Sequence, residues 1–172
     1  APRVCWIQAT SAGIGQSVKR MSYDLRMPNT TFTTASGVHA RPLAEFVVMA
    51  LLMHLKGARR MLDNQQRQHW DRYAGTDLEG RTLAIVGLGR IGAQVAQTCR
   101  ALGMRVIGTS RRPAPCVDHF YALSQFHEML PLAEVLVLAV PHTPTTEAML
   151  GATELALLPR GAYLINIARG AV

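Results

Sequence analysis

Leu83-Ala84-Ile85-Val86-Gly87-Leu88-Gly89-Arg90-Ile91-Gly92 decides how this chain folds. An apolar run enters a glycine-rich turn, and Ile91, Val95, Ala96, Cys99 and Leu102 then recur at helical spacing. A buried strand before and an amphipathic helix after give G-x-G-x-x-G its meaning as a dinucleotide fingerprint. Gly87 allows the tight turn, Gly89 leaves a pyrophosphate room against the backbone, and Gly92 lets helix and strand pack closely. The start of the helix offers unpaired N–H groups and a partial positive charge to phosphates. The competing reading is a glycine-rich turn chosen only for packing.

Outward from this stretch, strands and helices alternate. Strands are expected at 82–86, 105–109, 135–140 and 162–167, with a short apolar run near 119–123. Helices are expected at about 90–102, 124–131 and 152–157. This order implies an α/β fold with a doubly wound parallel sheet, Rossmann-like and incomplete at its C-terminal end. Upstream, residues 4–10 read as a strand without partners and Ser11 to Gly15 as a loop that could present backbone N–H groups. Residues 22–38 are polar, lack a helical period and read as a connector. Arg41-Pro42-Leu43-Ala44-Glu45 opens a long helix, with Pro42 near its first turn. Phe46, Val47, Met49, Ala50, Met53 and Leu55 are its apolar positions, and it turns polar from Arg59 to Gln68. Residues 69–79 are irregular. Both ends read as cuts through a larger protein.

Composition narrows the class. With 172 residues and 49% hydrophobic residues, the chain is globular rather than disordered. Its longest apolar run, Phe46 to Leu55, is too short to cross a bilayer and contains His54. Ala1-Pro2-Arg3 leads straight into the first strand, so no secretory signal is expected. Cys5, Cys99 and Cys116 lie far apart, as core or surface thiols of a reducing cytoplasm do, and no metal site is expected. The net charge of +7 comes mostly from scattered arginines. Aromatics are only 6% and are not interleaved with basic runs, so an anionic cofactor or substrate explains the charge better than nucleic acid does.

Cofactor choice is legible after the second strand of the fold. An NAD site places Asp or Glu there, about 20 residues past the glycines, for the ribose 2′-OH. Here Met104 to Thr109 is followed by Ser110, Arg111 and Arg112, with no carboxylate. A hydroxyl and two guanidiniums suit a 2′-phosphate instead. The expectation is NADP(H), with NAD(H) possible. The competing reading is that Arg111 and Arg112 form a solvated loop.

Ala9-Thr10-Ser11-Ala12-Gly13-Ile14, Pro42 to Glu45, Gly87 to Gly92, Val140 to Thr146 and Asn166-Ile167-Ala168-Arg169-Gly170 together carry a family resemblance. In their order and spacing the chain resembles the D-isomer-specific 2-hydroxyacid dehydrogenases. The Ser110-Arg111-Arg112 loop resembles that of the NADPH-preferring glyoxylate/hydroxypyruvate reductases. The resemblance implies a tail of the substrate domain and connector at residues 1–38. It implies a partial dinucleotide-binding domain, with the interdomain helix, at residues 39–172. Arg169 matches the family's catalytic arginine, which would bind and polarise a 2-keto acid. Ala12 and Gly13 match the loop whose N–H groups hold the acid's carboxylate. For the cofactor, the resemblance implies Gly87, Gly89, Arg90, Ile91 and Gly92 at the pyrophosphate. It implies Val140, Pro141 and Thr146 beside the adenosine, and Ile167, Ala168 and Arg169 near the nicotinamide.

The family's proton donor, a histidine supported by glutamate, follows the arginine in sequence, and none of the six histidines here stands in that context. His142 reads as a loop residue, His54 as a helix-face residue, and His39 and His69 as near linkers. His119 and His127 match no catalytic motif, and Glu45 reads as a helix-start charge or interdomain contact. The segment alone is therefore expected to turn over little or no substrate. The long helix and Trp70-Asp71-Arg72-Tyr73 resemble the family's dimer-forming region, which implies a homodimer, although Trp70 and Tyr73 could equally pack on their own subunit. The expected partner is a small 2-keto or 2-hydroxy acid, with no nucleic acid and no membrane. The alternative is a dinucleotide-sensing binding protein, similar to the family's transcriptional corepressors, without turnover.

Overall fold

The computed structural model describes residues 4–172, apart from the side chains of residues 16 and 17. The readings made on residues 1–3 lie outside it. A first unit comprises β1 (Trp6–Ala9), α1 (Gly15–Arg20), α2 (Tyr23–Arg26) and β2 (Thr31–Thr34). Two helices, α3 (Ala40–Leu55) and α4 (Ala58–Gln66), lead into the second. The second comprises β3 (Thr82–Val86), α5 (Arg90–Ala101), β4 (Arg105–Thr109), β5 (His119–Tyr121), α6 (Phe126–Met129), β6 (Val135–Leu138), α7 (Ala152–Leu157) and β7 (Tyr163–Asn166).

Five of these strands form one parallel sheet in the order β5-β4-β3-β6-β7. Numbered from β3, that is 3-2-1-4-5, the order of a Rossmann sheet. The doubly wound reading is thus met. Alternation along β3 explains why both sheet faces need cover. Leu83 and Ile85 pack with Leu51 of α3 and Val95 and Cys99 of α5. Ala84 and Val86 pack on the opposite face with Met129, Leu130 and Leu138. Every residue of β6 is buried, as a central strand of a two-faced parallel sheet must be.

Five local expectations are corrected. β1 does not lack a partner: it pairs in parallel with β2, Trp6 opposite Thr31 through Ala9 opposite Thr34. That strand lies inside the stretch read as a connector, and α2 does too. The long helix does not run on into its polar part, because Gly57 takes φ +65° and starts α4 afresh. The helix expected over 124–131 is three short pieces, two of them 3₁₀, with Pro131 in the last. Leu102 caps α5 and is exposed rather than on its buried stripe.

Candidate active site

Sharp packing around three glycines builds the cofactor edge. Gly87 follows β3 at φ +101°, a left-handed conformation, and a Cβ there would lie 2.8 Å from the Ala139 carbonyl. A Cβ on Gly92 would collide with the Gly87 carbonyl oxygen, so α5 can start this close to β3 only with glycine. Gly89, at the N-cap of α5, faces open space where its Cβ would be. The first intrahelical bond is Ala93 N–H to Gly89 O at 2.8 Å, which leaves the earlier N–H groups of the turn to an external acceptor. These features fit a pyrophosphate: backbone donors, a helix start and no side chain in the way.

Across from this edge lies a cavity of about 800 Å³. Arg90, Ile91, Val140, Pro141, Ile167, Ala168 and Arg169 line one side of it, and Ala12 and Gly13 line the other. The sites expected for cofactor and acid therefore meet in one space. Arg169 is held by its turn. The Asn166 amide donates to Arg169 O at 2.9 Å while its carbonyl oxygen accepts from Ala168 N–H at 2.9 Å. The Arg169 guanidinium donates to Ala168 O at 2.8 Å. Its Nη2 lies 3.2 Å from where a Cβ on Gly13 would be, so the cation and the loop face each other directly.

Some expected residues stand apart. Thr146 does not line the cavity; its hydroxyl donates to Pro141 O at 2.6 Å and accepts from Thr143 N–H at 2.8 Å, closing the loop that carries Pro141. Ser110, Arg111 and Arg112 also lie outside the cavity lining. They follow β4, where the Ser110 hydroxyl donates to Arg112 O at 2.5 Å and both arginines are exposed. Among the described residues no cluster of three or more His, Cys, Asp or Glu could hold a metal ion. No described helix is long and apolar enough to cross a membrane. Cys99 is a core thiol, its pKa pushed up to about 11 by burial.

Sequence reasoning missed part of the wall. His39 and Phe46 line the cavity. His39 Nε2–H donates to Thr10 O at 3.2 Å, immediately before the acid-binding loop. Ser36 and Gly37 line it as well, and Ser36 O accepts from Arg90 Nη1 at 2.9 Å. Ser36, Gly37 and His39 belong to the turn between β2 and α3, which a connector reading of 22–38 conceals, and Phe46 lies on α3, where its apolar character alone does not tell cavity wall from core.

Residues 48–172 match the sequence profile described as D-isomer specific 2-hydroxyacid dehydrogenase, NAD binding domain. A D-3-phosphoglycerate dehydrogenase of Methanocaldococcus jannaschii is 32% identical over 137 residues, 74% of this chain and 25% of that protein. A glyoxylate reductase of Thermococcus gammatolerans is 39% identical over 102 residues, 58% of this chain and 30% of that protein. Among solved structures, a D-isomer specific 2-hydroxyacid dehydrogenase family protein of Aeromonas salmonicida superposes with a TM-score of 0.87 at 30% identity. That match covers 97% of this chain and 53% of the other. An NADPH-dependent glyoxylate/hydroxypyruvate reductase of Sinorhizobium meliloti, solved with NADP and sulfate, gives a TM-score of 0.84 at 26% identity, covering 99% and 55%. The chain thus spans about half the length of these solved relatives and a quarter to a third of the curated ones. With the glycine turn, the five-stranded order and the profile match in agreement, the chain belongs to the D-isomer specific 2-hydroxyacid dehydrogenase family and carries its NAD-binding domain.

Proposed function

We propose that the chain is the cofactor-binding half, with part of the acid-binding edge, of an NADP(H)-dependent reductase of small 2-keto acids. The substrate class is glyoxylate or hydroxypyruvate. One observation carries this reading above all: the Arg169 guanidinium lies directly against Gly13 in the lining of a cavity that Arg90 and Ile91 of the dinucleotide turn also line. On this reading residues 1–38 are the tail of the substrate domain with its connector, and residues 39–172 belong to the dinucleotide-binding domain. A bound nicotinamide dinucleotide would supply the hydride. Ala12 and Gly13 N–H groups hold the acid's carboxylate, and Arg169 polarises the carbonyl where negative charge develops during reduction. Neither His39 nor His142 is assigned the proton transfer. His39 is tied to Thr10 O, and His142, although it lines the cavity, precedes Arg169 in sequence, outside the context in which the family carries its proton donor. The segment alone should therefore show little or no turnover.

The NADP preference rests on Ser110, half-buried after β4, and on the exposed Arg111 and Arg112, with no carboxylate among them. The NADPH-dependent reductase of Sinorhizobium meliloti supports this reading and the substrate class. A D-lactate dehydrogenase of Aquifex aeolicus, solved with NAD and lactic acid at 26% identity, marks the competing choice. Three free cysteines suit a cytoplasmic location. The test is fluorescence titration of the chain with NADPH and NADH. Tighter NADPH binding, lost in R111A/R112A, is the expected result; equal or tighter NADH binding refutes the preference. Binding of oxamate, an uncharged-amide analogue of a 2-keto acid, should be lost in R169Q.

A further inference from the structure

Arg90 stands on the dinucleotide turn, yet its side chain reaches away from its own unit. Its Nη1 donates to Ser36 O at 2.9 Å, in the turn between β2 and α3. Gly37 is shaped around it. Its φ is +96°, and a Cβ there would lie 2.6 Å from Arg90 Cδ and 2.9 Å from Nη1. Glycine is thus required twice, for backbone conformation and for space. No carboxylate of the described residues pairs with Arg90, so a neutral carbonyl receives a cation whose remaining donors are uncommitted. Two residues past Gly37, His39 donates to Thr10 O, and Thr10 leads into Ser11-Ala12-Gly13.

We propose that Arg90 is a positioning residue that joins the diphosphate of the dinucleotide to the acid-binding loop. The proposal rests on the functional reading above. A guanidinium fork can donate to a phosphate oxygen from one prong while donating to Ser36 O from the other; an ammonium cannot span both. With the diphosphate bound, Arg90 is fixed from both sides. The segment from Ser36 to His39 is then held, and through His39 so is the carbonyl that precedes Ala12 and Gly13. The dinucleotide thereby orders the acid site by a route that does not pass through the nicotinamide.

The test separates this route from direct contact between nicotinamide and acid. Oxamate is titrated calorimetrically into the 172-residue chain, alone and with saturating ADP-ribose, which has the diphosphate and lacks the nicotinamide. ADP-ribose should tighten oxamate at least about fivefold, although both are anions. In G37A that ratio should fall to about one. R90K, which keeps the charge without the fork, should lose it too and carries the test if G37A misfolds by circular dichroism. A wild-type ratio of one or below, a ratio unchanged in the folded variants, or oxamate that fails to bind with ADP-ribose present overturns the proposal. Failure of both ligands to bind overturns the functional reading itself.

Discussion

Gly89 and Gly92 lie in one turn and have opposite sensitivities. Gly89 has φ −77° and open space around its missing Cβ. G89A should fold, losing about 1 kcal/mol at most from the weaker N-cap, yet bind NADPH far less because the methyl occupies the pyrophosphate approach. In G92A the new methyl meets the Gly87 carbonyl, and the cost should reach about 3 kcal/mol. Urea melts beside NADPH titrations distinguish the two; equal losses of stability would refute the contrast. Thr109 predicts a gain instead. It is fully buried at the end of β4 and its hydroxyl has no hydrogen-bond partner among the described residues. T109V keeps the β-branched shape and removes the unpaired group, so the urea midpoint should rise by the equivalent of about 1 kcal/mol; a fall would show that the hydroxyl is engaged. Residue roles were readable wherever chemistry demands a residue type, as at Gly92. Gly37 was not readable, because its need for glycine comes from Arg90, 53 positions away in sequence and adjacent only in the fold.

Elements were legible in proportion to how deeply their pattern is buried. The expectations for β3, β4 and α7 match the observed bounds, since buried apolar runs and a Gly-x-x-Glu start are local signals. β2 escaped because Thr31-Phe32-Thr33-Thr34 is short and mostly hydroxylated, and its stability comes from pairing with β1. The break between α3 and α4 is held from outside both helices. The Tyr73 hydroxyl sits 2.9 Å from Lys56 O and 3.0 Å from Gly57 O, with Arg60 stacked on its ring at 4.2 Å. Y73F should cost about 1 kcal/mol by thermal melt and leave NADPH affinity unchanged. At α7, Gly151 N–H donates to the Glu154 carboxylate at 2.9 Å and holds its pKa below the ordinary 4.5, with His127 assisting. A carboxyl lowered on folding stabilises the folded state above its unfolded pKa and ceases to do so as pH falls through its folded one. Wild type should therefore exceed E154Q in stability at pH 6. The difference should shrink from about pH 4.5 downward; a gap independent of pH would refute the cap.

At the scale of the whole molecule, the outward face of α3 remains to be explained. Ala44, Val47 and Leu51 turn into the core, while Met49, Leu52 and Met53 are exposed and, with Val48 and Thr98 of α5, form an apolar groove. The sequence predicted an apolar helix but not which stripe would be left over, because residues on both sides of α3 are hydrophobic. Trp70, 90% exposed, projects from the arm, while Tyr73 packs on its own subunit. An exposed apolar face of this kind suits a self-complementary interface between two copies, and aromatic anchors are common in such interfaces. The expected outcome is a homodimer in sedimentation velocity. L52E/M53E should be monomeric with an unchanged far-ultraviolet spectrum, since both positions lie outside the core. A monomeric wild type, or a variant that still dimerises, would mean that this face does not join two copies. Because Leu52 and Met53 are not among the residues that line the cavity, the monomeric variant should also bind NADPH as wild type does. A parallel loss of binding would instead show that dimerisation is needed to keep the dinucleotide turn in shape.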